Sequence, residues 1–229
     1  MKDILGQAVS SYFEGDKSSK LWINNTYGAA EEMPLEYYFR DKLNMPELEH
    51  FALEHCRGKI LDIGAAAGAH SLILQDLKQD VTALDISPLL AKTLKLRGIA
   101  NVLEGNIFNL EPATQYDTLL LLMNGIGISQ SLKGLEMLLG KLKSLLAKNG
   151  QILFDSSDVS YLYDEELPQE KYHGEIDYQY EYKGEKGDWF SWLYVDFENI
   201  RKAATKVGLQ AELLAQDEDE HLLCRLKLK

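Results

Sequence analysis

The chain has 229 residues, 45% of them hydrophobic and 10% aromatic, and its 36 Asp+Glu outnumber 24 Lys+Arg to give a formal charge of −12. Such a composition supports a folded core and excludes global disorder, collagen-like repeats and coiled coils. The acidic balance, with no local cluster of Lys and Arg, argues against a nucleic-acid partner, and no apolar run approaches the ~18 residues of a membrane span.

The opening MKDILGQAVSSYFEGDKSSK has no uninterrupted apolar stretch and predicts no signal peptide. Cys56 and Cys224 are the 2 cysteines, without metal or disulfide spacing, so a cytoplasmic protein with reduced thiols is expected. Residues 3–14 carry a helical apolar stripe (Ile4, Leu5, Ala8, Val9, Tyr12, Phe13) that Gly15 stops. Residues 21–34 show no clear period and read as a loop holding Trp22 and Tyr27. Pro34 and Pro46 each suit a helical first turn, predicting helices to Arg40 and His55.

From Gly58 the pattern becomes short apolar runs alternating with helical stretches. Residues 59–64, 80–85, 101–106, 116–124 and 150–157 read as strands, with helices at about 69–78, 88–97 and 130–148. Near-continuous apolar strands are buried on both faces, so a parallel, doubly wound α/β sheet covered by helices is predicted. In the last third, 175–183 and 188–195 flank Gly184–Gly187 as an inserted hairpin, a helix at about 196–207 ends at Gly208, and 209–216 with 220–228 form a second hairpin on the sheet. The acidic stretch 216–220 reads as a solvated turn. The expected division is an N-terminal helical lid over 1–57 and a main domain over 58–229, with the insertion at about 161–195.

The stretch that carries chemistry is ILDIGAAAGAH, Ile60–His70. A strand bearing Asp62 leads into Gly64-Ala65-Ala66-Ala67-Gly68 and then a helix, and residues without bulk let backbone N–H groups approach a ligand. Small residues also occur where a strand merely packs close to a helix. Asp85 ends the next strand about twenty residues after Gly64, the place of a carboxylate that grips ribose hydroxyls. A helix cap is the competing role for Asp85, but Ser87-Pro88 fits that role better. A nicotinamide fingerprint would need glycines where Ala66 and Ala69 stand.

With Asp62 two residues ahead of Gly64, the segment resembles the first motif of the class I S-adenosylmethionine-dependent methyltransferases. The resemblance continues through Asp85-Ile86, Glu104-Gly105-Asn106-Ile107, Tyr116–Asn124 and Leu145–Gln151, and covers the chain from about Gly58 onward. It implies a Rossmann-like, seven-stranded mixed sheet of order 3-2-1-4-5-7-6 with helices on both faces, and S-adenosylmethionine as cofactor. Gly64 and Gly68 would shape the loop around the methionine moiety, Asp62 would orient it, Asp85 would hold the ribose, and Ile86 would pack on adenine. Asn106 and Ile107 would meet the adenine edge, while Met123 and Asn124 would lie under the methionine moiety and face the acceptor. Ala66 departs from the family's middle glycine, and Asn106 stands where an Asp is common.

Methyl transfer from a sulfonium asks mainly for positioning and a dry site, so no catalytic residue is fixed by motif; Asn124, His70, Asp155 and His173 are the candidates. His70, in a first helical turn, suits a structural role better than a catalytic one, and the same holds for His173. Asp155 and Asp158 lack a carboxylate partner on the fourth strand, so no metal is expected. The strand-four motif for amino-group methylation of adenine or glutamine is absent. A small-molecule acceptor is expected, walled by aromatic residues of the lid (Trp22, Tyr27 and Tyr37 among them) and of the insertion. The competing readings are an NAD(P)-binding Rossmann oxidoreductase and a non-catalytic binding protein of the same fold. The aromatic strand within 175–195 suggests a homodimer.

Overall fold

In the computed structural model, which describes residues 2–163, 167–218 and 220–229, the apolar runs form one seven-stranded sheet. Its strands are β3 (Lys59–Ile63), β4 (Asp80–Asp85), β5 (Val102–Glu104), β6 (Tyr116–Leu121), β7 (Leu146–Ser157), β11 (Leu209–Gln216) and β12 (His221–Leu228). Their order is β11-β12-β7-β6-β3-β4-β5, with β3 to β7 parallel and β12 antiparallel to both neighbours. This is the doubly wound, Rossmann-like arrangement expected.

Period-two alternation divides the strand side chains between two faces. Leu119, Leu121, Ile152 and Phe154 pack with α5 (Leu132–Leu145) and α6 (Phe197–Lys206) on one side. Ile60, Leu120, Leu122 and Leu153 pack with α2 (Glu47–His55) and α3 (Ala69–Asp76) on the other. In α5 the buried residues Leu135, Leu138, Leu139, Leu142 and Leu145 recur at helical spacing. Ser87 caps α4 (Pro88–Leu96), Ser131 caps α5, and Asp196 caps α6, each side chain accepting a first-turn N–H.

The largest difference from the sequence reading lies at 21–34. The aperiodic stretch forms β1 (Leu21–Asn25) and β2 (Glu31–Met33), an antiparallel pair. Asn25 Oδ1 accepts from the Tyr27 and Gly28 N–H groups and closes the turn between them. β1 also pairs with β8 (Glu175–Tyr182) of the insertion, and β8 pairs with β10 (Phe190–Leu193), giving a second sheet of order β10-β8-β1-β2 with β9 (Glu185–Lys186) against β8. Five residues ending in Asn24-Asn25 have little strand character alone; the partner strand some 150 residues away supplies it. The expected helix after Pro34 is a single 3-10 turn, Leu35–Phe39. Residues 164–166 of the insertion and Asp219 of the acidic stretch lie outside the described residues.

Candidate active site

The Gly64–Gly68 turn is built on β3 and pinned to β4. Gly64 N and Ala65 N both donate to Leu84 O, at 2.9 and 3.1 Å, and Gly68 N donates to Ala65 O at 2.7 Å. Gly64 has φ +75°, and a Cβ there would meet nothing within 4 Å. Space is therefore open in front of it. Gly68 has φ +82°, but a Cβ there would collide with Ile99 Cδ1 and Leu94 Cδ2. Its bareness serves helix packing rather than the ligand face. Ala66 takes the left-handed φ of +49° in spite of its methyl group.

Asp85 closes the turn from the side. Its Oδ2 accepts from Ala66 N and its Oδ1 from Ser87 N, both at 2.9 Å. Burial pushes its carboxyl up to about 6, those two bonds working in the opposite direction and Asp3 and Asp62 adding repulsion. Each oxygen keeps acceptor capacity for a further donor. Beside it Ile86 is 66% exposed, a bare apolar platform. Asn106 spends its Oδ1 on Phe108 N at 3.0 Å, leaving the Nδ2 donor for a ligand edge, while the Ile107 side chain belongs to the core. Asp62 lies beneath, buried, accepting from Ser71 Oγ at 2.6 Å, with burial raising its pKa.

At the end of β6, Met123 and Asn124 adopt left-handed φ of +58° and +53°. Asn124 N donates to Asp155 Oδ1 at 2.9 Å, Asn124 Nδ2 donates to Leu193 O at 3.2 Å, and Trp192 Nε1 donates to Asn124 O at 3.1 Å. The second sheet is thus tied to the β6 turn. Asp155 is pushed up to about 6, burial being the main cause and the Asn124 N–H opposing it.

His70 belongs to a buried ion network. Its Nε2 meets Glu49 Oε2 at 2.7 Å, and Arg40 Nη2 meets Glu49 Oε1 at 2.6 Å. Burial opposes charge on His70, but the Glu49 hydrogen bond and the charges of Asp62, Glu49 and Asp155 outweigh it, so its pKa is raised. Burial likewise opposes charge on Glu49, yet His70 and Arg40 hold its pKa low. His173 stands elsewhere, paired with Asp158 Oδ1 at 3.0 Å through Nε2.

The lid residues separate. Tyr27 sits edge-on to Tyr178 and donates its hydroxyl to Glu31 at 2.9 Å. Trp22 alternates with the core-packed Leu21 and Ile23, and lies across from Glu181 and Glu32. Tyr37 is 45% exposed under Arg40. The N-terminal segment itself docks on the cofactor turn: Ala66, Ala67 and Met123 pack with Ile4, Tyr38 and Phe39, and Arg97 bonds Ala67 O while covering the Phe39 ring. Sequence reading placed Trp192 in the insertion's aromatic wall but missed Arg40 and Glu49 as parts of this region. Glu49 had a signal, since a carboxylate sharing a helical stripe with Ala52 and Leu53 is placed to be buried.

The open Gly64 turn, the carboxylate closing β4 and the bare isoleucine next to it suit an adenosyl group, and the fold and turn together define a class I methyltransferase. A SAM-dependent methyltransferase from Bacteroides fragilis, crystallised in complex with S-adenosyl-L-homocysteine, is 37% identical over 99% of this chain and 95% of its own, at a TM-score of 0.91. The CcbJ methyltransferase from Streptomyces caelestis shares the fold at 13% identity, covering 80% of this chain and 90% of its own with a TM-score of 0.66. So does an S-adenosylmethionine-dependent methyltransferase from Clostridium acetobutylicum ATCC 824, at 14% identity, 82% and 94% coverage and a TM-score of 0.63. No protein-family model and no curated protein matches the chain. The chain belongs to the S-adenosylmethionine-dependent methyltransferases; it is an enzyme of that class and S-adenosylmethionine is its cofactor. That membership displaces the oxidoreductase reading.

Proposed function

We propose that this enzyme methylates a small-molecule acceptor by direct in-line transfer, with the acceptor held between the β6–β7 end of the main sheet and the aromatic second sheet. The observation that carries the reading is the Trp192–Asn124–Asp155 chain of hydrogen bonds, which brings an aromatic wall onto the turn next to the cofactor loop. Such a wall excludes water and suits a compact acceptor better than a polymer.

S-adenosylmethionine supplies a methyl group on a sulfonium centre. Gly64 leaves room for it, Asp85 accepts from the ribose hydroxyls, Ile86 packs on the adenine face, and Asn106 and the Ile107 backbone meet the adenine edge. Asp62 fixes the base of the turn through Ser71, and Met123 and Asn124 border the transfer point. The chain's contribution to rate is positioning and exclusion of water. Where the acceptor must lose a proton, Asp155 and the His173–Asp158 pair are the groups left to take it, because His70 Nε2 is spent on Glu49.

The remaining features fit a protein of a reducing compartment, for which we propose the cytoplasm: Cys56 and Cys224 are both free and buried. Among the described residues no helix is long and apolar enough to cross a membrane. A homodimer through the outer edge of β10 is part of the same proposal.

Calorimetric titration with S-adenosylhomocysteine tests the cofactor half: micromolar binding is expected, with Asp85→Ala losing ~2–4 kcal/mol, roughly 30- to 1000-fold. A metabolite screen read by mass spectrometry for a methyl gain tests the acceptor half. Methylation confined to macromolecular acceptors would overturn the small-molecule reading.

A further inference from the structure

We propose that the group this enzyme methylates is an amine, recognised by the Asn124 amide oxygen and the Asp155 carboxylate. The inference rests on the proposed small-molecule reading and narrows it to one acceptor chemistry.

It begins from hydrogen bonds left unmade. Asn124 Oδ1 is buried and has no partner among the described residues. Its orientation is settled, because the amide's other end, Nδ2, donates to Leu193 O. A buried carbonyl oxygen without a donor is costly, and native proteins keep few of them. Asp155 lies against the same residue, its Oδ1 taking Asn124 N, and its Oδ2 takes no donor from any other described residue. Asn124 Oδ1, which lacks a donor, and Asp155 Oδ2, which takes none from another described residue, thus stand on neighbouring side chains at the C-terminal edge of the parallel sheet, where ligands of open α/β folds bind.

The charges nearby do not fill that need. Arg40 Nη2 and His70 Nε2 are both engaged with Glu49, the Arg40 Nε donor bonds neither oxygen, and Arg97 bonds Ala67 O. A ligand here must bring its own donors. A carboxylate brings none and meets Asp155 as a like charge. A hydroxyl brings one. An amine brings two or three on a single atom, and when protonated it also brings the charge that Asp155 complements. Passing one proton to Asp155 frees the amine's lone pair, which forms the N–C bond to the methyl as the S–C bond breaks and its electron pair stays on the sulfur of S-adenosylhomocysteine. The Trp192 indole, held on Asn124 O and lying against Gly127, adds an aromatic surface of the kind that attracts ammonium groups.

The cofactor's own α-amino group has the same chemistry, so position has to separate the two. Gly64 and Asp85 hold the cofactor at β3 and β4, whereas Asp155 stands on β7, which reaches β3 only through β6. At ~4.8 Å per strand that is about 10 Å across the sheet. Asp155 is therefore on the acceptor's side of the transfer point, and Asn124, which follows β6 next to β3, stands between it and the cofactor.

The test uses the full chain saturated with S-adenosylhomocysteine, so that cofactor binding is read first and separately. Benzylamine, benzyl alcohol and benzoate, three probes of similar shape, are then titrated by ligand-observed magnetic resonance. Benzylamine is expected to bind at least about tenfold more tightly than benzyl alcohol, with benzoate weakest. Asp155→Asn, which keeps the shape and the Asn124 bond, should bring the amine and alcohol within about threefold while homocysteine-nucleoside affinity changes by less than about threefold. Asn124→Gly, compatible with the left-handed backbone, should reduce the amine preference too. Equal binding of amine and alcohol, no measurable amine binding, or a preference that survives Asp155→Asn would overturn the proposal. So would a loss of S-adenosylhomocysteine affinity in Asp155→Asn equal to the loss for the amine, which would assign the pair to the cofactor. Failure of the wild-type protein to bind S-adenosylhomocysteine would instead sink the parent reading of the cofactor turn, and this one with it.

Discussion

Gly64 and Gly68 bracket one short turn with nearly the same φ, yet their surroundings give them different work. An alanine at 64 would have space but an unfavourable backbone, costing about 1–2 kcal/mol, and its methyl would occupy the ligand side. An alanine at 68 would add a collision with Ile99 and Leu94 to the same strain, about 2–5 kcal/mol together. Thermal unfolding and S-adenosylhomocysteine titration should therefore separate them: Gly64→Ala loses affinity with modest loss of stability, Gly68→Ala loses stability first. Asp85 makes a second residue-scale prediction. Its pKa, raised by burial to about 6 against an ordinary 3.8, means the folded state takes up this proton before the unfolded chain does. Its contribution to stability is therefore present at low pH and falls as pH rises through the window from about 4 to about 6. In its proposed role Asp85 accepts from the ribose hydroxyls as the ionised form, so affinity is expected to move the opposite way. S-adenosylhomocysteine binding should weaken below pH 6, approaching about tenfold per unit, and Asp85→Asn should flatten that slope.

Between elements, the Arg40–Glu49–His70 network joins the end of the N-terminal segment, α2 and the first turn of α3, which leaves the cofactor turn. Glu49 is 6% exposed and answers two cations. Removing it with Glu49→Ala strands both positive groups in the interior, at a cost of ~3–5 kcal/mol by chemical denaturation. The pH signs follow from the two directions. The His70 contribution is complete below its ordinary 6.5 and is lost as pH rises through its raised pKa. The Glu49 contribution is complete above its ordinary 4.5 and is lost as pH falls through its lowered one. The network is therefore strongest between these values, and Glu49→Ala should lower stability most there. At the other end of the segment, Asp3 caps α1 (Ile4–Phe13) through Gly6 N and also accepts from Ser87 Oγ at 2.5 Å, directly behind Asp85. The N-terminal segment is fastened at both ends beside the Gly64–Gly68 turn, to Ser87 next to Asp85 and through Glu49 to His70 of α3.

For the whole molecule the second sheet matters most, because it unites residues 21–33 with 175–193 and presents Trp192 to Asn124. Among the described residues its terminal strand β10 has one partner, β8, and Trp189 just before it is 52% exposed. An edge with apolar neighbours is open to pairing with a second copy. Light scattering at micromolar concentration should give a dimer mass, and Trp189→Glu should shift it toward monomer; a wild-type monomer mass would remove the homodimer from the proposal.

The legible part of this protein is the part whose signals are local. Ile60–His70 announces a strand, a bare turn and a helix within eleven residues, and Asp85 follows at the distance one crossover requires, so the parallel strands and the bare turn could be read from spacing and periodicity, while the full strand order came with the family resemblance. Sequence order could not show that Gly68 faces Leu94 and Ile99, because that depends on where α4 comes to rest. Nor could it show that 21–25 is a strand, since the hydrogen bonds that make it one come from residues 178–182. Burial of Glu49 between Arg40 and His70, and the unanswered oxygen of Asn124, likewise exist only once distant segments are brought together. Local pattern determined the strand, the bare turn and the helix; long-range packing decided what surrounds them, because burial and hydrogen-bond partnership belong to pairs of segments and not to either segment by itself.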